Sequence, residues 1–360
     1  MRFTNKKIAV AMSGGVDSSI AAVLLKEQGY EVFGLWMYNK GDGGPEADPS
    51  YRDARAVAQK LDIPLTVVDL RPFFKEEVIA YFLREYLVGR TPNPCAVCNP
   101  RIKFGALMEQ GIAMGAEGFA TGHYARVAWD PAQERYILLR GVDIVKDQSY
   151  FLWGLSQEQL ARCYFPNGEL TKKQVREMAR SRGLPVAERS ESQEICFIPQ
   201  GDYRTFLRQQ VTDTIDAQGE IVAQDGRILG THQGIFGFTI GQRRGINLPA
   251  HAPYYVLKIE PAANRVVVGS KEDLLAQGLV ANNMRWVSIA SPQGQFGCLG
   301  QIRYRHQAAA CQVIPCAEDT VVVRFDEAEE AITPGQALVL YQDERVLGGG
   351  WIQEVLGDEA

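Results

Sequence analysis

Apolar positions in this chain follow two regimes that meet near residue 205. From residue 8 to about 125, short apolar runs at 8–12, 32–37, 65–69 and 118–121 read as buried strands. Between them, segments around 53–61, 74–87 and 104–115 carry apolar residues at helical spacing, as in Ala54, Val57, Ala58 and Leu61. Strand and helix in alternation predict an α/β fold, a doubly wound parallel sheet with helices on both faces. A strand at 136–140 and two helices follow, each helix opened by a capping box, Ser156 with Gln159 and Thr171 with Gln174. After Tyr203 short alternating segments take over, broken by turn signals such as Asp225-Gly226, Asp326-Glu327 and Asp343-Glu344. These predict two small β-rich domains, or one larger barrel. The expected division is 1–204, 205–279 and 280–360, with no repeat or low-complexity segment.

In a parallel sheet of this kind, ligands bind beyond the carboxyl ends of the strands. The loops after Met12, Met37 and Thr121 are therefore expected to share one site, with the polar, Gly- and Pro-containing stretch 41–50 as a mobile loop beside it. The first loop is the most informative. Ile8-Ala9-Val10-Ala11-Met12 runs into Ser13-Gly14-Gly15-Val16-Asp17-Ser18, after which Val16, Ile20, Val23 and Leu24 keep helical spacing up to Gly29. Strand, glycine turn and helix leave backbone N–H groups and a helix N-terminus aimed at one spot, a geometry that holds phosphate. No Gly-Lys-Ser/Thr follows, so the loop lacks the lysine with which Walker-type loops grip terminal phosphates. The string from Ser13 to Ser18 resembles the PP-loop of ATP pyrophosphatases, enzymes that cleave ATP between its first and second phosphates and adenylate an oxygen. Further along, Lys172, Arg176 and Arg180 form a basic stripe at four-residue spacing, expected as a solvated helix face or as a track for a phosphate backbone.

Composition changes this picture little. At 360 residues there is room for two or three domains, and 46% hydrophobic with 22% charged residues describes an ordinary soluble protein. A net charge of −5 argues weakly against nucleic acid and leaves local patches to decide. No apolar run approaches the ~18 residues that span a bilayer. The opening from Met1 to Lys7 leads straight into the first strand, which leaves no room for a signal peptide. Seven cysteines do not suggest a secreted disulfide framework, and a reducing cytoplasm is the expected compartment.

Two cysteine settings stand out. In Arg90-Thr91-Pro92-Asn93-Pro94-Cys95-Ala96-Val97-Cys98-Asn99 the two prolines are expected to exclude helix and stiffen a loop. Its C-x-x-C fits a zinc half-site, a redox pair or a reactive thiol with a neighbour, and no second half-site of matching form exists. Cys196 lies where the polar run Ser190-Glu191-Ser192-Gln193-Glu194 gives way to Ile195-Cys196-Phe197-Ile198-Pro199. A free thiol is only about a few per cent thiolate at neutral pH, so reactivity needs cations nearby. Lys103 and Arg101 near Cys98, and Arg189 near Cys196, are the candidates by sequence. Cys163, Cys298, Cys311 and Cys316 read as buried small hydrophobes. On composition alone, a structural role is the simpler reading for every cysteine.

Several motifs occur in order: the 13–18 loop, the Thr91 to Cys98 stretch with Asn99 and Ile102-Lys103-Phe104, Thr121-Gly122-His123-Tyr124, Lys146-Asp147-Gln148-Ser149-Tyr150-Phe151 and Ile195-Cys196-Phe197-Ile198. They continue through Gly241-Gln242-Arg243, Arg303-Tyr304 and Thr333-Pro334-Gly335-Gln336 to Leu347-Gly348-Gly349-Gly350. Together they closely resemble the bacterial tRNA-specific 2-thiouridylases over essentially the whole chain. The resemblance implies a PP-loop domain, a central β-rich domain and a carboxy-terminal β-barrel that binds tRNA. It implies Mg-ATP as substrate, adenylation of the 2-oxygen of a wobble uridine, and sulfur delivered as a persulfide by a carrier protein or cysteine desulfurase. Cys196 then corresponds to the persulfide carrier and Cys98 to the nucleophile that closes a transient disulfide with it. Ala11, Met12, Ser13, Gly14, Gly15, Val16, Asp17 and Ser18 are expected around the ATP phosphates, with Met37 and Gly122 against the nucleotide. Asn93, Pro94 and Cys95 are expected at the target base, which is splayed from its stack. His123, Lys146, Asp147 and Gln148 are expected tRNA contacts, as are Arg303, Tyr304 and Gln336 in the barrel.

One position departs from this pattern. Some family members carry Asp, a proposed general base, where this chain has Cys95. A thiol is a base only when deprotonated, so Cys95 is left without that role. The substitution gathers three thiols, Cys95, Cys98 and Cys196, if the loops converge, and an iron–sulfur cluster on them is the subsidiary expectation. Two other functions compete. An amidating PP-loop synthetase would keep its turnover without Cys98 and Cys196, and a non-catalytic RNA-binding protein would release no pyrophosphate. A monomer is expected, since no heptads or long apolar edges stand out.

Overall fold

The computed structural model describes residues 6–190, 195–198, 202–210, 217–249, 251–316 and 319–357. The opening five residues, the polar stretch 191–194 and Pro199 lie outside them. The first strands form where apolar runs predict them: β1 (Lys7–Ala11), β2 (Glu31–Tyr38), β3 (Leu65–Asp69) and β4 (Gly118–Ala120). With the short β7 (Cys163–Tyr164), they make an all-parallel sheet in the order β3-β2-β1-β4-β7. Alternation along β1 feeds two cores. Ile8 and Val10 pack with α1 (Val16–Glu27), α2 (Pro49–Leu61) and α8 (Lys172–Ser181) on one face. Ala9 packs with Phe33, Phe82, Phe104 and Phe119 on the other. The strand order reverses between β1 and β4, and such a switch point opens the crevice in which a ligand binds. Both predicted capping boxes are present, Ser156 on Gln159 before α7 (Gln157–Leu160) and Thr171 on Gln174 before α8.

The second face departs from expectation. The proline-containing stretch is helical, not an open loop: Asn93 caps α5 (Pro94–Cys98), and Pro94 takes the first helical position, where its missing N–H costs nothing. The helix continues through a π-helical segment (Asn99–Leu107) into α6 (Met108–Ala113), with a non-helical kink at Gly105. The expected helix at 74–87 likewise comprises α3 (Arg71–Phe74), a π turn (Lys75–Ile79) and α4 (Ala80–Leu87). The stretch expected as a mobile loop holds a 3-10 turn (Pro45–Ala47), and Asp48 then caps α2.

After α9 (Tyr203–Gln210), whose Tyr203 stacks on Tyr86, the chain changes to antiparallel and mixed sheets. The first has the order β10-β11-β8-β9, made of β8 (Gln218–Ala223), β9 (Ile228–Gln233), β10 (Tyr255–Glu260) and β11 (Arg265–Gly269). The second contains β12 (Leu275–Arg285), β13 (Phe296–Gln301), β14 (Ala309–Pro315), β15 (Val321–Glu330), β16 (Ala337–Gln342) and β17 (Arg345–Leu356). Pairing of β12 with β17 closes these strands into a barrel.

The strand expected at 136–140 is β6 (Arg135–Arg140); with an unexpected partner, β5 (Ala125–Asp130), it forms a hairpin that leaves the parallel-sheet unit and extends this second sheet through Leu138 and Leu139 opposite Val346 and Arg345. Ion pairs Arg126–Glu344 at 2.6 Å and Arg345–Asp130 at 3.2 Å flank the seam. The barrel also holds the cysteine segment. Thr91 donates its N–H to Pro334 O at 3.0 Å, and Gln336 donates its amide to Thr91 O at 3.0 Å and Pro92 O at 3.1 Å. Among the cysteines read as core, Cys163 and Cys311 are buried and Cys298 is half-buried opposite Cys311, with sulfurs 3.9 Å apart. Cys316 is exposed, against expectation, because it leaves the end of β14.

Candidate active site

At the switch point, Met12 follows β1 and donates its N–H to Leu35 O at 2.8 Å. The chain then turns through Ser13, Gly14 and Gly15. Gly15 precedes α1 without a side-chain cap, so the first N–H groups of the helix have no capping oxygen. The turn is held from inside: Ser13 N and Oγ lie 3.2 and 3.3 Å from Ser18 Oγ, and Ser19 Oγ donates to Gly15 O at 2.8 Å. Gly14 has φ +73°, and a Cβ there would lie 2.1 Å from Ser50 O. Arg189 donates to Gly14 O at 3.0 Å and pairs with Asp53. Gly122, after β4, packs so closely that a Cβ would meet Asp17 C and Ser18 N at 2.6 Å. Ala11 and Met37 pack at the edge of the adjoining core.

Asp17 is the second residue of α1. Its carboxylate accepts from Lys172 Nζ at 2.6 and 2.7 Å and from Tyr124 OH at 2.7 Å. Asn167 ties Asp17 O to Gly122 O, at 2.9 and 3.2 Å. The basic stripe is only partly the solvated face expected: Arg180 is exposed, whereas Lys172 and Arg176 turn inward onto protein. Lys172 is buried on Asp17, Arg176 donates to Ala187 O and Arg189 O, and Arg180 pairs with Glu188. Four-residue spacing put the three on one side of the helix, but nothing local could show that this side meets α1.

The segments that carry the three thiols meet: Cys98 and Phe197, the neighbour of Cys196, are buried in one core, and Cys95 lies one helical turn before Cys98. Cys98 is buried, and burial pushes its thiol up to about 12, Lys103 opposing and the neighbouring Cys196 and Cys95 adding to the rise. Cys95 remains open to solvent although protein crowds it, and that crowding raises its thiol too, again with Lys103 opposing and Cys196 assisting. Cys196 is exposed on a turn whose carbonyl accepts from Lys40 Nζ at 2.6 Å. Lys103 lies on the π-helical segment five residues beyond Cys98, the interval that a π-helix brings into register. Lys40 and Tyr124 were given no role by the sequence, and Lys172 was read only as part of the basic stripe. Lys103 was named there as a candidate cation for its place beside the C-x-x-C.

Among the described residues no three His, Cys, Asp or Glu side chains form a set able to hold a metal ion. The subsidiary expectation of an iron–sulfur cluster on Cys95, Cys98 and Cys196 therefore finds no cradle in this arrangement. A thiol of pKa about 12 is ionised to about one part in ten thousand at pH 8. We expect exposed Cys196 to be alkylated by iodoacetamide well before Cys98, whose rate should climb about tenfold per pH unit from 7 to 9. Peptide mass spectrometry of timed samples reads both, and equal rates at pH 8 would contradict the burial assigned to Cys98.

The residues expected on tRNA fall into two groups. Asn93 caps α5 through Ala96 N at 3.3 Å, and Pro94 is buried beside it. His123 is interior: its Nδ1 lies 2.7 Å from Thr121 Oγ1, and its ring packs against Phe104 and Phe165. Burial, with the charge of Lys103, drives its pKa well below the ordinary value and keeps it neutral. Asp147 is a buried hub, accepting from Gly141 N, Ser149 N, Ser149 Oγ and Arg140. Burial raises its pKa although these donors oppose the rise. Gln148 is bonded to the Tyr124 backbone through both its N–H and its Oε1. Gln336 is the strut on Thr91 and Pro92, and Arg303 donates to Glu330 O at 2.8 Å. These contacts are internal. Lys146 and Tyr304 fare differently: half-buried Tyr304 packs tilted against Phe151, ring centroids 4.4 Å apart, within the field of Lys146.

Comparison with known proteins covers nearly the whole chain. The family model described as a tRNA methyl transferase HUP domain matches residues 6–200, the tRNA methyl transferase PRC-barrel domain residues 204–270, and the aminomethyltransferase beta-barrel domain residues 276–352. A Salinibacter ruber protein named tRNA-specific 2-thiouridylase MnmA is 48% identical over 367 residues, covering 98% of this chain and 96% of its own. Proteins of the same name from Syntrophotalea carbinolica and Geotalea uraniireducens are 47% and 45% identical, covering 98% of this chain and 100% and 96% of theirs.

Proposed function

Because the chain belongs to the tRNA-specific 2-thiouridylase family, we infer that its phosphate loop and its thiols serve one reaction, the ATP-dependent 2-thiolation of the wobble uridine of tRNA. The observation that carries this reading is convergence. Cys98 and Phe197, the residue after Cys196, share one buried core with Phe104, whose ring packs on His123, one residue beyond the Gly122 that packs on the phosphate loop.

The chemistry runs in two stages. The uridine 2-oxygen attacks the α-phosphorus of Mg-ATP, and the bond to the bridging oxygen breaks. Pyrophosphate leaves with that electron pair, and the base gives its N3 proton to solvent. A poor leaving group has become a good one. A persulfide on Cys196, loaded from a donor protein's persulfide, then places its terminal sulfur on C2. AMP leaves with the electrons of the C2–O bond. The Cys98 thiolate attacks the Cys196 sulfur and cleaves the S–S bond, so the terminal sulfur stays on the base. A Cys98–Cys196 disulfide remains, which a dithiol must reduce before the next turnover. Lys103 is the cation placed to favour the Cys98 thiolate in a site that otherwise opposes it.

In this reading the phosphates lie over residues 13–18, and Cys95 faces the base as a wall. Asn93 and His123 shape the pocket rather than touch RNA, while Lys146 and Tyr304 form the contact rim. The domains divide near 205 and, since β12 belongs whole to the barrel, near 275 rather than at 280; the protein acts as a cytoplasmic monomer, and no step is routed through a cluster. The test is nucleoside mass spectrometry of tRNA incubated with protein, Mg-ATP and a persulfide source, with pyrophosphate followed in parallel. We expect 2-thiouridine and stoichiometric pyrophosphate. Pyrophosphate without a thiolated base would move the assignment to another adenylating synthetase.

A further inference from the structure

We propose that Lys40, on the loop after β2, is a positioning residue for sulfur transfer and holds the Cys196 turn for the persulfide that Cys196 is to carry. The assignment rests on the thiolation reading above and adds to it a residue that acts through Cys196. That turn is closed by Ile198 N–H on Ile195 O at 3.0 Å. Phe197 sinks one side of it into the core, with its ring against Phe74, Phe82 and Phe206. Cys196 itself stands exposed beside that anchor. The ammonium of Lys40, 156 positions away in sequence, holds the exposed side by donating to Cys196 O at 2.6 Å.

The loop is built to present that ammonium. Tyr38 OH donates to Gly41 O at 2.7 Å and accepts from Gly44 N at 3.1 Å. Arg71 also donates to Gly41 O, at 3.1 Å, and lies over the Tyr38 ring, 4.2 Å from its centroid. The backbone on either side of Lys40 is thereby pinned, while its side chain crosses to the Cys196 turn. The same connection leads on to Ser50, whose carbonyl crowds Gly14, and to Asp53, which pairs with the Arg189 that donates to Gly14 O. One segment thus touches the phosphate turn at one end and the Cys196 turn at the other. It relates the place of the sulfur to the place of the phosphates.

Stability does not account for the bond. Lys40 and Cys196 are both exposed, and contacts of charged side chains at a protein surface add little to folding. Sulfur chemistry does account for it. In loading, the Cys196 thiolate attacks the outer sulfur of a donor persulfide, the donor's S–S bond breaks, and its inner sulfur leaves as a thiolate. The sulfur that Cys196 has gained then sheds its proton to solvent and becomes a nucleophilic anion. An ammonium held on the carbonyl of the same residue supplies a counter-charge beside that anion and keeps the turn from swinging away.

The experiment measures 2-thiouridine formed on tRNA by the full-length protein with Mg-ATP and either glutathione persulfide or inorganic sulfide. Free sulfide needs no carrier, so it reports every part of the reaction except the use of Cys196. Wild type, Lys40→Met and Lys40→Arg are compared. We expect Lys40→Met to slow persulfide-driven thiolation about tenfold while the sulfide-driven rate stays within about twofold of wild type. Lys40→Arg keeps the charge and the donors and should recover most of the loss. In a Cys196→Ser background, Lys40→Met should change nothing further, since it acts through Cys196. An undiminished persulfide-driven rate in Lys40→Met, an equal fall with both sulfur sources, or a further fall in the Cys196→Ser background would overturn the assignment. A wild-type protein that makes 2-thiouridine from neither source would instead bring down the thiolation reading, and this assignment with it.

Discussion

Cys98→Ser should lower 2-thiouridine formation by roughly a thousandfold or more, the scale seen when a reacting nucleophile is removed, while pyrophosphate release continues. A serine hydroxyl neither ionises near neutral pH nor forms a disulfide, so the sulfur on Cys196 is never released. In the mechanism proposed above the adenylation stage uses other residues, so it should be left intact. Cys196→Ser should be as severe with a persulfide donor but keep some product with free sulfide, which can attack the adenylated base without a carrier. Nucleoside mass spectrometry with parallel pyrophosphate assay separates these outcomes. Thiolation undiminished in both variants would end the persulfide mechanism, and equal loss of pyrophosphate would tie Cys98 to adenylation instead.

The second large effect is expected at Gly14. Its φ of +73° suits glycine, and a Cβ would be driven to 2.1 Å from Ser50 O at the start of α2. Backbone cannot yield as a flexible side chain can. Gly14→Ala should cost about 1–3 kcal/mol of stability and weaken ATP binding more than tenfold as the turn moves off its N–H geometry. Gly15 provides the contrast: its φ is −94°, and its added Cβ would sit 3.5 Å from Ser13 Oγ. Gly15→Ala should leave stability within about 0.5 kcal/mol of wild type. Urea denaturation and ATP titration of the two variants give the comparison. Unchanged ATP affinity in a folded Gly14→Ala protein would remove the loop from the phosphate site.

How far the sequence alone reached depended on whether a feature was local. The strands around the phosphate loop, the turn and both capping boxes are written in windows of fewer than about 15 residues, where period and cap chemistry suffice. Pro94 shows a local rule misapplied, since a proline that breaks a helix interior also begins one. Distant pairing was not legible. Lys172 looks like any basic helix residue until Asp17, 155 positions away, is placed against it. Asp147, His123 and Gln336 are polar residues at internal seams, and such residues read as surface when the seam is unseen. The convergence of Cys98 with Cys196 came from resemblance, and spacing could not have supplied it.

The hairpin of β5 and β6 has a consequence for how the molecule is made. It leaves the parallel-sheet unit early in the chain, yet its partner strand β17 emerges from the ribosome roughly 200 residues later, about 10–40 s at usual rates of synthesis. Until then the edge at Leu138 and Leu139 is unpaired, and the 91–92 segment lacks the Gln336 amide that holds it. The nascent nucleotide-binding half thus carries an open sheet edge and an unbraced thiol segment. It is exposed to mispairing and to chaperones in that interval, and it completes its reactive centre only when the barrel closes.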